Sequence, residues 1–161
     1  MAKGGKRKAA SGDVASNRQA AYRYHLLERF ECGIVLTGTE VKSLREGKAQ
    51  LKDAYAAVRD GEVWLIGLYI PPYGPASREN HEPERPRKLL LHRSEIERVM
   101  AKTRERGLTL VPTRIYFTPD GSRAKLELAL AKGKDVHDKR DTIRKREMVR
   151  DVQRELREAR R

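Results

Sequence analysis

The residues best suited to covalent or metal chemistry are few and dispersed. Four histidines (His25, His81, His92, His137) and one cysteine (Cys32) make up that set. None stands at a ligand spacing from Cys32 or from another histidine, so the sequence offers no metal site. A lone cysteine cannot close an internal disulfide. There is no Gly-rich loop ending in a phosphate-binding lysine and no nucleophile elbow. Two histidines could in principle meet as the acid and base of a ribonuclease, a reading that intact labelled RNA after incubation with the protein would remove. The chain therefore reads as a non-enzyme that needs no cofactor.

What the sequence does carry in quantity is positive charge. Across 161 residues, 36 Lys and Arg oppose 23 Asp and Glu, a net +13. Residues 1–20 hold five basic and one acidic residue; residues 132–161 hold twelve and seven; the 111 residues between hold nineteen and fifteen. The excess is thus concentrated at both ends of a nearly balanced centre, a layout suited to nucleic acid. The chain lacks an apolar stretch of membrane-spanning length and an apolar leader, so the expected location is cytoplasmic, with no membrane partner.

The elements that must position any binding groups follow from periodicity and turn chemistry. Residues 1–16 are expected to be a disordered basic arm. Alternation from Tyr22 to Phe30, continued by Ile34–Leu36 after Gly33, predicts a strand with a bulge or bend at the glycine. Thr39 is placed to cap a short helix over Glu40–Glu46, stopped by Gly47. Asp53–Arg59 and Val63–Ile70 flank Asp60-Gly61, a hairpin signature. Ser94 and Glu97 have the spacing of a capping box for a helix over Glu95–Arg106. Leu108–Phe117 and Arg123–Ala131 predict a second hairpin, with Leu126, Leu128 and Leu130 on its buried face. From Lys132 on, nineteen of thirty residues are charged. Val149, Val152, Leu156 and Ala159 nevertheless keep helical spacing there, which predicts a tail that orders against a partner.

Antiparallel neighbours without a βαβ repeat point to a mainly β fold with some α. The preferred architecture is a closed antiparallel barrel of the oligonucleotide-binding (OB) type, spanning residues 17–131, with short flanking helices and a basic C-terminal tail over 132–161. An open antiparallel sheet with two packed helices is the competitor.

Several runs then carry a resemblance: Gly38-Thr39-Glu40-Val41-Lys42-Ser43-Leu44-Arg45, Arg87-Lys88-Leu89-Leu90-Leu91, Ala131-Lys132-Gly133-Lys134 and His137-Asp138-Lys139-Arg140. With Asn17-Arg18 and Phe30-Glu31-Cys32-Gly33-Ile34, they resemble the signature runs of the SsrA-binding protein (small protein B, SmpB) family, in order and approximate spacing. The resemblance implies a bacterial factor of trans-translation. Such a factor binds the tRNA-like domain of transfer-messenger RNA and delivers it, with elongation factor Tu, to stalled ribosomes. It further implies RNA contacts at Asn17, Glu31, Lys42, Leu91, Lys132 and Lys134, with Tyr24 a candidate to stack on a base or bond a sugar. The tail would enter the empty message channel, His137 stacking near the decoding centre and Asp138, Lys139 and Arg140 fixing the turn before the helix. The chain departs from the family pattern at Asp135, where lysine is usual, at Ala21-Tyr22, where a basic residue and histidine are usual, and at Met148, where some relatives carry a large aromatic. The alternative is a general OB-fold RNA chaperone or ribosome-associated protein, which would bind many RNAs alike.

Overall fold

The computed structural model describes residues 12–76, 78, 80–105 and 107–160, the side chains of residues 136–138 excepted. Among these the chain is mostly β-sheet with four helices. The order is β1 (Asp13–Ser16), α1 (Ala20–Arg23), β2 (Tyr24–Ile34), α2 (Gly38–Arg45), β3 (Tyr55–Arg59), β4 (Glu62–Ile66) and β5 (Arg87–Leu90). It continues with α3 (Arg93–Thr103), β6 (Leu108–Phe117), β7 (Ala124–Gly133) and α4 (Val136–Ala159). All strand pairings are antiparallel. Hydrogen-bonded neighbours run β1-β6-β3-β4-β5-β2-β7, and β7 pairs again with β6, so the pairings from β6 around to β7 form a ring.

The two predicted hairpins are present. Asp60 and Gly61 both take positive φ, 52° and 73°, the backbone that a two-residue turn between twisted strands requires. Leu126, Leu128 and Leu130 of β7 all point into the core with Phe30, Cys32, Val63, Leu65, Leu89, Leu110 and Ile115. Truncating any one of these leucines to alanine costs about 2–5 kcal/mol. Ala129 and Ala131 are buried as well. Ala131 sits in a smaller cluster with Ala20 and Val111, against which Tyr24 and Leu26 pack.

Several boundaries differ from the sequence reading, each for a local reason. Asp13–Ser16, expected in the arm, form β1 along β6, held by Arg114 to Asp13 at 3.1 Å; residues 1–11 lie outside the described residues. Tyr22 belongs to α1, and β2 begins at Tyr24. Gly33 is not a bulge. The strand runs through it opposite Leu90, whose Cβ lies 3.2 Å from where a Cβ at Gly33 would stand; the register shift falls instead between Leu26 and Glu28.

Helix starts also move. Thr37 occupies the N-cap of α2 because its carbonyl accepts from Val41, and Thr39 is inside the helix. The carbonyl of His92 accepts from Ile96, so α3 starts ahead of Ser94, and no side-chain cap is made. The tail, expected to order only on a partner, continues β7 to Gly133 and then forms α4. Opposite charges three or four residues apart, such as Asp151–Arg154 and Arg154–Glu158, suit an exposed helix.

Candidate nucleic-acid interface

The candidate RNA-contact residues fall into three groups and one isolated residue, Lys42. At the first, Asn17 caps the irregular part of β6. Its amide N donates to Thr113 O at 2.7 Å and its Nδ2 to Pro112 O at 3.2 Å, beside the register shift between Pro112 and Arg114. Its Oδ1 is buried without a partner. Tyr24, opposite Gly133 on β7, lines a cavity of about 290 Å³ together with Asn17, Gln19, Arg23, Lys52 and Asp53. A phenol, an amide and an exposed lysine thus converge there, while Arg23 pairs with Asp53 at 3.7 Å.

The second group joins Glu31 and Leu91. Both line an open groove of about 710 Å³ with Phe117, Arg123 and Lys125. Glu31 is exposed on β2 and accepts from Tyr116 Oη at 2.5 Å, with Lys125 Nζ at 4.0 Å. Partial burial, then the hydrogen bond and charge of Glu31, push the Tyr116 phenol up to about 12. Leu91, directly after β5, packs on the core with one side and lines the groove with the other. Two residues back on β2, Arg29 pairs with Glu127 at 3.6 Å.

Lys42 stands apart from both groups. It is exposed on α2, with its ammonium 5.6 Å from the centroid of the Tyr73 ring. Tyr73 rides on the loop between β4 and β5, and that loop is fastened from below. Glu40, fully buried, accepts from Arg85 Nε and from Arg87 Nε, the latter at 2.7 Å. Arg87, also fully buried, donates further to Leu68 O at 2.7 Å and Pro83 O at 3.1 Å. Burial lowers the Arg87 pKa from its ordinary value, and Glu40 opposes that shift. Ser43 donates to Pro71 O at 2.8 Å. His81 bridges Ile70 O and Thr39 Oγ1, each at 2.9 Å; a carbonyl only accepts, so Nε2 donates to Ile70 O.

At the junction with the tail, Lys132 is exposed, opposite His25 on one side and Leu108 on the other. Lys134 is half-buried, its Nζ donating to Ala21 O and Thr142 Oγ1. Lys139 and Arg140 lie on the first turns of α4, and Lys139 N donates to Asp135 O at 3.2 Å. His137 and Asp138 belong to the same turn, but their side chains lie outside the described residues.

Other chemistry is limited. Among the described residues no group of three His, Cys, Asp or Glu is placed to hold a metal, and no helix is long and apolar enough to cross a membrane. Burial pushes the Cys32 thiol up to about 12, which leaves little thiolate for nucleophilic attack at neutral pH.

The profile of the family described as SmpB protein matches residues 14–158, from β1 to the last turn of α4. The chain belongs to the SmpB family. It is 58% identical over 144 residues to the SsrA-binding protein of Desulforudis audaxviator (strain MP104C), covering 89% of this chain and 93% of that one. The SsrA-binding protein of Carboxydothermus hydrogenoformans (strain ATCC BAA-161 / DSM 6008 / Z-2901) is 52% identical over 144 residues, 89% of this chain and 95% of that one. A chain of the solved structure "tmRNA-SmpB: a journey to the center of the bacterial ribosome" is similar with a TM-score of 0.64. It is 49% identical and covers 76% of this chain and 85% of that chain.

The SmpB-family runs divide into inward and outward halves. In Glu40-Val41-Lys42-Ser43-Leu44-Arg45, the buried residues are Glu40, Ser43 and Leu44, while Lys42 and Arg45 face out. In Arg87-Lys88-Leu89-Leu90, Arg87 and Leu89 are buried and Leu90 is exposed. Sequence reasoning missed Glu40, Arg85, Arg87 and His81 as the fastening of the Tyr73 loop. The available signal was two acid-base runs about fifty positions apart, which pattern along the chain does not connect. It missed also Tyr116 and Lys125 as the neighbours of Glu31.

Proposed function

We propose that this chain binds the tRNA-like domain of transfer-messenger RNA and delivers it to stalled ribosomes as a factor of trans-translation. The observation that carries the reading is the extent of the SmpB match: it includes the sheet body and nearly all of α4, the two parts among which the candidate contacts are divided. The strand ring serves as a barrel of the OB type. The Asn17–Tyr24 cavity, the Glu31–Leu91 groove, Lys42 and Lys132 supply phosphate charge and contacts to unstacked bases, because the deep major groove of A-form RNA is closed to side chains.

In this reading α4 lies along ribosomal RNA in the empty message channel, with His137, Asp138, Lys139 and Arg140 at the decoding centre. As its arginines neutralise phosphates, the counterions condensed on the RNA are released, which adds affinity. Elongation factor Tu joins the delivery complex, and the protein works in the cytoplasm without catalysis or cofactor. The basic arm over residues 1–11 adds non-specific phosphate attraction.

The test is a binding competition between transfer-messenger RNA and bulk tRNA at one ionic strength. A strong preference for transfer-messenger RNA is expected. Equal affinity for both would favour a general RNA chaperone and overturn the reading.

A further inference from the structure

Two carboxylates line the Glu31–Leu91 groove, and only one of them is engaged. Glu31 accepts from the Tyr116 phenol at 2.5 Å and has Lys125 Nζ at 4.0 Å. Glu95, in the first turn of α3, is half-buried, and its Oε2 is buried without a hydrogen-bond partner. After burial itself, its charge is the next cause that raises the Cys32 thiol, so the carboxylate stands near that buried sulfur. A buried acceptor without a donor is costly, and native structures leave few of them. Leu90, 51% exposed, supplies apolar surface to the groove together with Leu91 and Phe117. The Phe117 ring is held in place by the Arg45 guanidinium, 4.8 Å from its centroid, and Arg45 Nη2 is itself fixed on Gly121 O at 2.9 Å. Arg123 and Lys125 add cations to the same groove.

An ionised carboxylate accepts and does not donate, so the group that completes Glu95 must bring an N–H or O–H. A backbone phosphate has neither, and its charge is of the same sign. Arg123 and Lys125 attract phosphate and repel a cationic side chain of a partner protein. At about 710 Å³ the groove has the size of a small-ligand site. Its apolar surface, with one ring in it, suits a planar group, and RNA-binding proteins read unstacked bases by their faces and edges. Guanine alone presents two donors side by side, N1–H and N2–H, which match the two oxygens of one carboxylate. Adenine and cytosine set the amino group beside a ring acceptor, and uracil sets N3–H between two carbonyls. We propose that the groove is a guanine pocket. One unstacked guanine lies against Leu90, Leu91 and Phe117 with its Watson–Crick edge on Glu95, and Glu95 is the residue that selects it. The proposal rests on reading the chain as an RNA-binding factor, and it deepens that reading by naming the base and the side chain that reads it.

The test uses the full-length protein with 5′-mononucleotides as probes, binding being followed by NMR at the methyl groups of Leu90 and Leu91. GMP should bind about 10-fold more tightly than AMP. IMP, which keeps N1–H but lacks the N2 amino group, should fall between them. Glu95→Gln should bring GMP to the affinity of AMP while leaving AMP unchanged, whereas general damage to the groove would weaken both alike. Glu97→Gln removes the same charge two residues along α3, from a side chain that pairs with Arg93 outside this groove, and should keep the preference. Equal affinity of the parent for GMP and AMP, IMP binding as tightly as GMP, or GMP shifts that avoid Leu90 and Leu91 would overturn the pocket. So would a preference that survives Glu95→Gln, parallel weakening of both nucleotides, or equal loss in Glu97→Gln. Tighter binding of N-acetylarginine amide than of GMP would overturn it too, and would give the groove to a protein partner. No transfer-messenger RNA is present, so the two readings fail separately: the RNA competition can show no preference while GMP still depends on Glu95, and the groove can ignore guanine while transfer-messenger RNA is still preferred.

Discussion

At Glu31 the carboxylate already has a donor, Tyr116 Oη at 2.5 Å, so an RNA amino or hydroxyl group bound there as proposed would share or displace it. Glu31→Gln should bring the Tyr116 pKa down from about 12 toward, but not to, its ordinary 10.0, because burial contributes before Glu31 does; ultraviolet titration of the phenol reads this directly. The sign follows from the raised value. The neutral phenol stabilises the fold below the unfolded pKa, and that contribution is lost as pH rises through about 12. Lys42 has a simpler environment, being exposed with the Tyr73 ring beneath it. Lys42→Glu should weaken RNA binding and lower the slope of log affinity against log salt by about one, measured by titration at several salt concentrations. An unchanged slope would assign Lys42 to a protein partner. Asp120, in the turn between β6 and β7, accepts from Thr118 Oγ1, Ser122 N and Ser122 Oγ. These bonds, that from Thr118 foremost, hold its carboxyl down to about 2. Its stabilisation is present above the ordinary 3.8 and lost as pH falls through about 2, so a carbon NMR titration of this side chain should show a midpoint near 2.

Elements announced by local chemistry are legible in the order of residues alone. The β3–β4 turn needs two positive φ values, and Asp60-Gly61 is a pair that tolerates them. The leucine alternation of β7 predicts one buried side; the leucine side is buried, and Ala129 and Ala131 on the opposite side are buried too. What could not be read depends on distant partners. β5 is four residues long and carries no turn signal of its own; it exists because β4 and β2 flank it. Along the chain Glu40 reads as an ordinary first-turn acid, and Arg87 as the start of an Arg-Lys-Leu-Leu-Leu run. Only the fold brings them to 2.7 Å, both fully buried. Of the proposed RNA site, the residue types were legible through family resemblance, but their division among a cavity, a groove and a helix surface was not. Removing the carboxylate of a buried ion pair leaves the buried cation uncompensated, so Glu40→Gln, which strands Arg87, should lower unfolding free energy by about 3–5 kcal/mol in urea denaturation. The Tyr73 loop should loosen first, seen as faster amide exchange over residues 68–76.

For the whole molecule, the proposed reading assigns RNA binding to the sheet body and ribosome contacts to α4. A boundary after Ala131 would cut β7 short of Gly133; truncation after Asp135 leaves the strand whole. That shortened chain should keep much of its affinity for transfer-messenger RNA and lose tagging of stalled peptides in a reconstituted translation assay. Retained tagging would sink the assignment of the tail. The ring of strand pairings also bears on the protein's own synthesis. β7 lies between β2 and β6, pairing Tyr24 with Gly133 across most of the chain. Until the ribosome has made residue 133, β2 and β6 both present open edges that invite pairing with other chains. A copy arrested before that point keeps both edges open. It is an unclosed sheet until β7 joins β2 to β6.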